Sequence, residues 1–119
     1  MRTFITLFLW ATIALGALFA NAAHSDPTLS VFCGDMTGGV CSEPYFIAEG
    51  LKPGTNYVIE GVGPTGEVFD CFFTASDVSF DSGPLRNSFH ESPWIFELRA
   101  IGHKGNPQHK LLATYPLTF

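Results

Sequence analysis

Gly50-Leu51-Lys52-Pro53-Gly54-Thr55-Asn56-Tyr57-Val58-Ile59 is the stretch whose reading decides the fold. An apolar residue leads into Pro53-Gly54, and a Tyr/Val/Ile run follows. Pro53 fixes φ for one turn position and Gly54 takes the positive φ that a type II turn needs next. The aromatic and β-branched residues after it suit a half-buried, pleated surface. The stretch therefore predicts a strand, a tight corner and a second strand.

Other segments extend the pattern. Leu29 to Cys33 reads as a first strand, Tyr45 to Ala48 as a second starting at Pro44, Thr55 to Val62 as a third and Glu67 to Thr74 as a fourth. In the fourth, Phe69, Cys71 and Phe73 share one face, and Val68, Asp70 and Phe72 the other. Residues 75–92 are less regular: Val78 and Phe80 alternate as a short strand does, and Leu85 and Phe89 plug the core edge. Trp94, Phe96, Leu98 and Ala100 then alternate with Ile95, Glu97, Arg99 and Ile101. After a polar loop, Leu111, Ala113, Tyr115, Leu117 and Phe119 alternate to the end, with Pro116 marking an edge position or a bulge. The expected fold class is all-β, an immunoglobulin-like antiparallel sandwich of about seven strands. Trp94, Phe96, Tyr57 and Tyr115 are its expected structural core.

The first residues speak to compartment. Arg2 precedes an apolar run of 17 residues, Phe4 to Ala20, and Ala20-Asn21-Ala22 follows the small-x-small rule of a signal peptidase site. Residues 1–22 are read as a signal peptide and 23–119 as one domain, secreted or periplasmic and a monomer, with no membrane association after cleavage. The 97 residues left carry 11 acidic against 5 basic residues, a formal charge of −6. That balance opposes nucleic acid, which needs a basic surface to meet phosphates.

Three Cys remain in that domain: Cys33, Cys41 and Cys71. Export makes a disulfide the expected fate of two of them. The Gly-rich loop between Cys33 and Cys41 favours that pair, with Cys71 free and turned inward beside Phe69 and Phe73. The rival pairing is Cys33–Cys71 across the core.

The corner Leu51-Lys52-Pro53-Gly54-Thr55-Asn56-Tyr57 resembles the Leu-x-Pro-Gly-Thr-x-Tyr corner of fibronectin type III domains. In that family the corner comes late, whereas about 60 residues follow it here. Its position is closer to that in bacterial immunoglobulin-like domains, where a similar corner joins an early strand to the next. The resemblance covers roughly residues 45–119. It implies a fold and carries over no active-site residue.

Chemistry is sparse. There is no Gly-x-Ser-x-Gly elbow, no His-Glu-x-x-His and no Cys-x-x-Cys. His90 and Glu91 point apart in an extended chain, and Glu43, Glu49, Glu60 and Glu67 are scattered as on solvated faces. The expectation is no enzyme and no cofactor. Asp77, Asp81 and Ser82 read as turn residues that bond nearby amides rather than as calcium ligands. A competing reading is copper handling by His24 near a new N-terminus, with His90, His103 or His109 as the second imidazole. A third is a secreted inhibitor or effector using loops 34–40, 81–92 and 102–109. The leading expectation is a non-catalytic binding or structural accessory whose partner, another protein or a cell-surface polymer, is unspecified. Phe72 and Ile95 or Ile101 fall on the outward parity, which leaves three readings open: an exposed patch for a partner, a contact for a second sheet, or the other side of a small sandwich.

Overall fold

Alternation of small or aromatic apolar residues with polar ones drives each strand to turn one face inward. The computed structural model describes residues 26–102 and 109–119. Residues 1–22, read above as a signal peptide, with His24 and His103, lie outside the described residues. Among the described residues eight strands follow one another: β1 (Thr28–Asp35), β2 (Cys41–Glu49), β3 (Asn56–Val62), β4 (Val68–Thr74), β5 (Ser79–Asp81), β6 (Ser88–Phe89), β7 (Trp94–Ala100) and β8 (Lys110–Leu117). One sheet has the order β1-β2-β5, with β6 also on β2; the other is β4-β3-β7-β8. All pairings are antiparallel. The two sheets form a sandwich, consistent at a coarse level with an immunoglobulin-like fold.

The corner between β2 and β3 is built as its residues dictate. Gly54 takes φ 87°, and the Thr55 amide donates to the Lys52 carbonyl at 3.2 Å. Leu51 is buried beside it and anchors the turn to the core.

The count exceeds the expected seven because residues 75–92 run along β2 in two pieces. Gly83-Pro84 interrupts the ladder, since proline has no amide to donate. Side chain and backbone bridge the interruption. The Phe46 amide donates to Ser82 Oγ at 2.9 Å, while the Ser82 amide donates to the Phe46 carbonyl and the Leu85 amide to the Pro44 carbonyl, each at 3.0 Å. Val78, read with Phe80 as one short strand, is exposed and precedes β5. β2 also begins earlier than Pro44 suggested, at Cys41. Glu43 adopts φ 51°, the left-handed region, and that kink lets Pro44 sit buried within the strand.

The interior is aromatic. Phe46 meets Phe96 edge-on at 5.2 Å between ring centroids, Phe89 lies 4.4 Å from Trp94, and Phe73 stacks on Phe80 at 3.8 Å. Phe46, Ile59, Phe96 and Leu98 are completely buried. Each such side chain stabilises the fold by roughly 1.5–3 kcal/mol relative to exposure.

One strand departs from its sequence pattern. Leu98 pairs with Ala113 but Arg99 pairs with Leu111, so Leu112 is inserted as a bulge. An inserted residue reverses inward and outward parity. Leu112 therefore packs against the core, and Leu111, expected inside, is exposed.

Candidate binding site

The outward residues of β4, β3, β7 and β8 line up across the sheet in three rows. The first is Val68, Val62, Ile95 and Pro116; the second Asp70, Glu60, Glu97 and Thr114; the third Phe72, Val58, Arg99 and Leu111. An acidic row thus runs between an apolar row and one in which Arg99 stands among apolar residues. Five large apolar side chains stand exposed here: Val68 at 73%, Phe72 at 66%, Val62 at 51%, Leu111 at 46% and Ile95 at 40%. Lone exposed apolar residues are ordinary, but Val68, Val62 and Ile95 are direct neighbours flanked by the acidic row, and such a set marks an interaction surface. Val58 is fully buried yet stands outside the interior cluster, set between Phe72 and Arg99 on this outer face.

Glu60, Gly61, Val62, Val68, Asp70, Ile95 and Glu97 line an open groove of about 490 Å³. Its electrostatics follow from register. Glu60 lies directly opposite both Asp70 and Glu97, and like charges paired across strands repel. Arg99 offsets part of this: its Nε is 3.1 Å from Glu60 Oε1 and its Nη2 2.6 Å from Glu97 Oε1. The hydrogen bond to Glu97, helped by the charges of Glu97 and Glu60, raises the guanidinium above its ordinary value. Asp70 has no ion-pair partner among the described residues. The groove therefore keeps a net negative charge with apolar walls.

Apart from Phe72, Ile95 and Glu60, the residues singled out in the sequence lie elsewhere. Cys33 and Cys41 are joined in a disulfide, with their Cα atoms 5.2 Å apart. Cys71 is a free, half-buried thiol on the inward face of β4, and burial pushes its pKa up. Trp94, Phe96 and Tyr57 are buried, and Tyr115 is partly buried against them. His109 Nδ1 accepts the Gly102 amide at 2.8 Å, which closes the base of the β7–β8 loop. His90 is exposed. Asp77 accepts the Val78 amide at 2.7 Å and Asp81 the Gly83 amide at 2.9 Å, as turn residues do. Among the described residues no three His, Cys, Asp or Glu gather as a metal site.

The three loops named for an inhibitor do not converge. Cys41 pairs with Phe89, which brings residues 34–40 toward the β6 end. The base of loop 102–109 lies at the other end, where the Ile101 amide donates to the Asn56 carbonyl beside the Pro-Gly corner.

The acidic row was the feature hardest to see in advance. Outward parity identifies Phe72 and Ile95, but only the register aligns Asp70, Glu60 and Glu97. No family model, no curated protein and no solved structure matches the chain.

Proposed function

We propose that this chain is a small exported binding domain of the bacterial immunoglobulin-like kind, without catalytic activity, which docks a partner protein on the outer face of its β4-β3-β7-β8 sheet. The observation that carries the reading is the clustering of exposed Val62, Val68, Phe72, Ile95 and Leu111 on that single face around a charged groove. A sheet that needed only solvent would alternate inward apolar with outward polar side chains. The disulfide fits the oxidising compartment that export implies. The corner motif and the sandwich architecture support the family-level reading.

A photo-crosslinking amino acid placed at Ile95 in the producing cell tests it, with the same probe at Ser30 on the opposite outer face as the comparison. A discrete adduct from position 95, absent from position 30 and lost on Val62→Glu, is expected. Equal adducts from both faces, or none from either, overturn the reading.

A further inference from the structure

Resting on the docking face above, we propose that the free edge of β4 takes an added strand from the partner, extended, basic at its centre and apolar two residues to either side. Among the described residues β4 pairs only with β3 and ends its sheet. An open edge offers a row of unpaired backbone donors and acceptors, and exported proteins ordinarily guard such edges with Pro, Lys or bulges. The opposite edge of this sheet is guarded in that way: β8 carries Lys110, Pro116 and the Leu112 bulge. β4 carries none of these. Its sequence is Val68-Phe69-Asp70-Cys71-Phe72-Phe73-Thr74, seven paired residues without proline or a cation. An unguarded edge beside an apolar face is the arrangement that strand addition uses, with main-chain bonds for affinity and alternate side chains for specificity.

The chemistry of the added strand follows from what β4 turns outward. Val68, Asp70 and Phe72 share the outer face, so the residues opposite them are also spaced by two. Arg99 is engaged by Glu60 and Glu97, which leaves Asp70 as the outermost carboxylate without a cation. A Lys or Arg opposite Asp70 supplies that cation, and apolar residues two places away cover Val68 and Phe72.

A second copy of this chain fits poorly. Antiparallel pairing of two β4 edges must keep their faces aligned, because a one-residue slip exchanges inside and outside. In the longest aligned register Asp70 then faces the other Phe72, and in the next two it faces the other Asp70 or the other Thr74. None of these supplies the missing cation.

The test uses the purified, isotope-labelled protein and two heptapeptides, Thr-Val-Thr-Lys-Thr-Val-Thr and Thr-Val-Thr-Glu-Thr-Val-Thr, followed by NMR. Both peptides read the same in either direction, so parallel and antiparallel addition are both probed. The Lys peptide is expected to shift and protect the β4 amides. The Glu peptide should bind roughly tenfold more weakly, the change expected when an attractive cross-strand charge pair becomes a repulsive one. Asp70→Lys should reverse the order of the two peptides, and should that variant not fold, Asp70→Asn should bring them together. Equal binding, shifts confined to other strands, or a concentration-dependent dimer that protects β4 overturns strand addition. If the crosslink from position 95 persists while β4 ignores both peptides, strand addition falls and face docking stands. If that crosslink is absent too, both fall.

Discussion

The hydroxyl of Tyr57 accepts the backbone amide of Lys52 at 2.9 Å, closing the Pro-Gly corner from the strand that leaves it. The phenol ring is buried and stacks on Phe73 at 5.5 Å. One side chain thus ties turn geometry to core packing. Tyr57→Phe keeps the ring and removes the acceptor. The Lys52 amide lies where water can reach it, so the loss should be moderate, about 1 kcal/mol. Urea unfolding should show a lower midpoint at unchanged slope. No change in midpoint would mean that the hydroxyl bond contributes nothing to the corner.

Trp94 and Phe96 are accommodated by the absence of side chains on β3 and just beyond it. A Cβ on Gly61 would lie 2.5 Å from Phe96 Cε1, and one on Gly63 would lie 2.8 Å from the Trp94 ring. Gly61→Ala should therefore destabilise by about 1–3 kcal/mol through overpacking. Trp94→Ala should cost about 3–5 kcal/mol, the range for a buried aromatic. A neutral Gly61→Ala would show that Phe96 moves aside freely. A neutral Trp94→Ala would show that the indole is not buried in solution.

Cys71 supplies a prediction in pH. Burial raises its thiol pKa in the folded chain, so above the ordinary thiol range, roughly pH 8.5, the folded state holds a proton that the unfolded state has released. The unfolded state then binds fewer protons, and stability falls with rising pH. This contribution is complete below the unfolded pKa and is lost as pH climbs through the folded one. As pH rises above roughly 8.5 the urea midpoint of the natural chain should fall more steeply than that of Cys71→Ala. Parallel slopes would refute the effect. In the same samples, peptide mapping without reductant should join Cys33 to Cys41 and find Cys71 alkylated only after unfolding; a Cys33–Cys71 link would contradict the structure.

Much of the fold was legible because it rests on local chemistry. Pro53-Gly54 dictates its turn whatever surrounds it, and the period-two pattern of Trp94–Ala100 identifies an inward face without knowledge of its neighbours. Features set by partners in space were not legible. Leu111 obeys the inward parity of Tyr115 and Leu117 until a bulge at Leu112 reverses it, and no local signal marks that insertion. The Gly83-Pro84 break hides how Ser82 keeps that segment on β2, since its hydroxyl stands in for a ladder group of a distant strand. The binding face lies between these cases. Outwardness of Phe72 and Ile95 follows from parity, whereas the meeting of Asp70, Glu60 and Glu97 is a property of strand register alone.

That register makes Arg99 the residue whose removal separates folding from docking. Its guanidinium is partly exposed and bridges Glu60 and Glu97, so it reduces the repulsion between two carboxylates set directly opposite each other. Exposed pairs contribute little, so Arg99→Gln should lower the urea midpoint only slightly at low salt. The loss should shrink toward zero near 1 M salt, where screening acts over about 3 Å. The same substitution leaves three carboxylates uncompensated across the groove, so attraction for a basic partner should rise as stability falls. A face that docks basic segments predicts opposite signs for these two effects, with the Lys-centred peptide binding Arg99→Gln more tightly than the natural chain. Weaker peptide binding by a folded Arg99→Gln would show instead that the guanidinium itself contacts the ligand, and that the acidic row is not what attracts it.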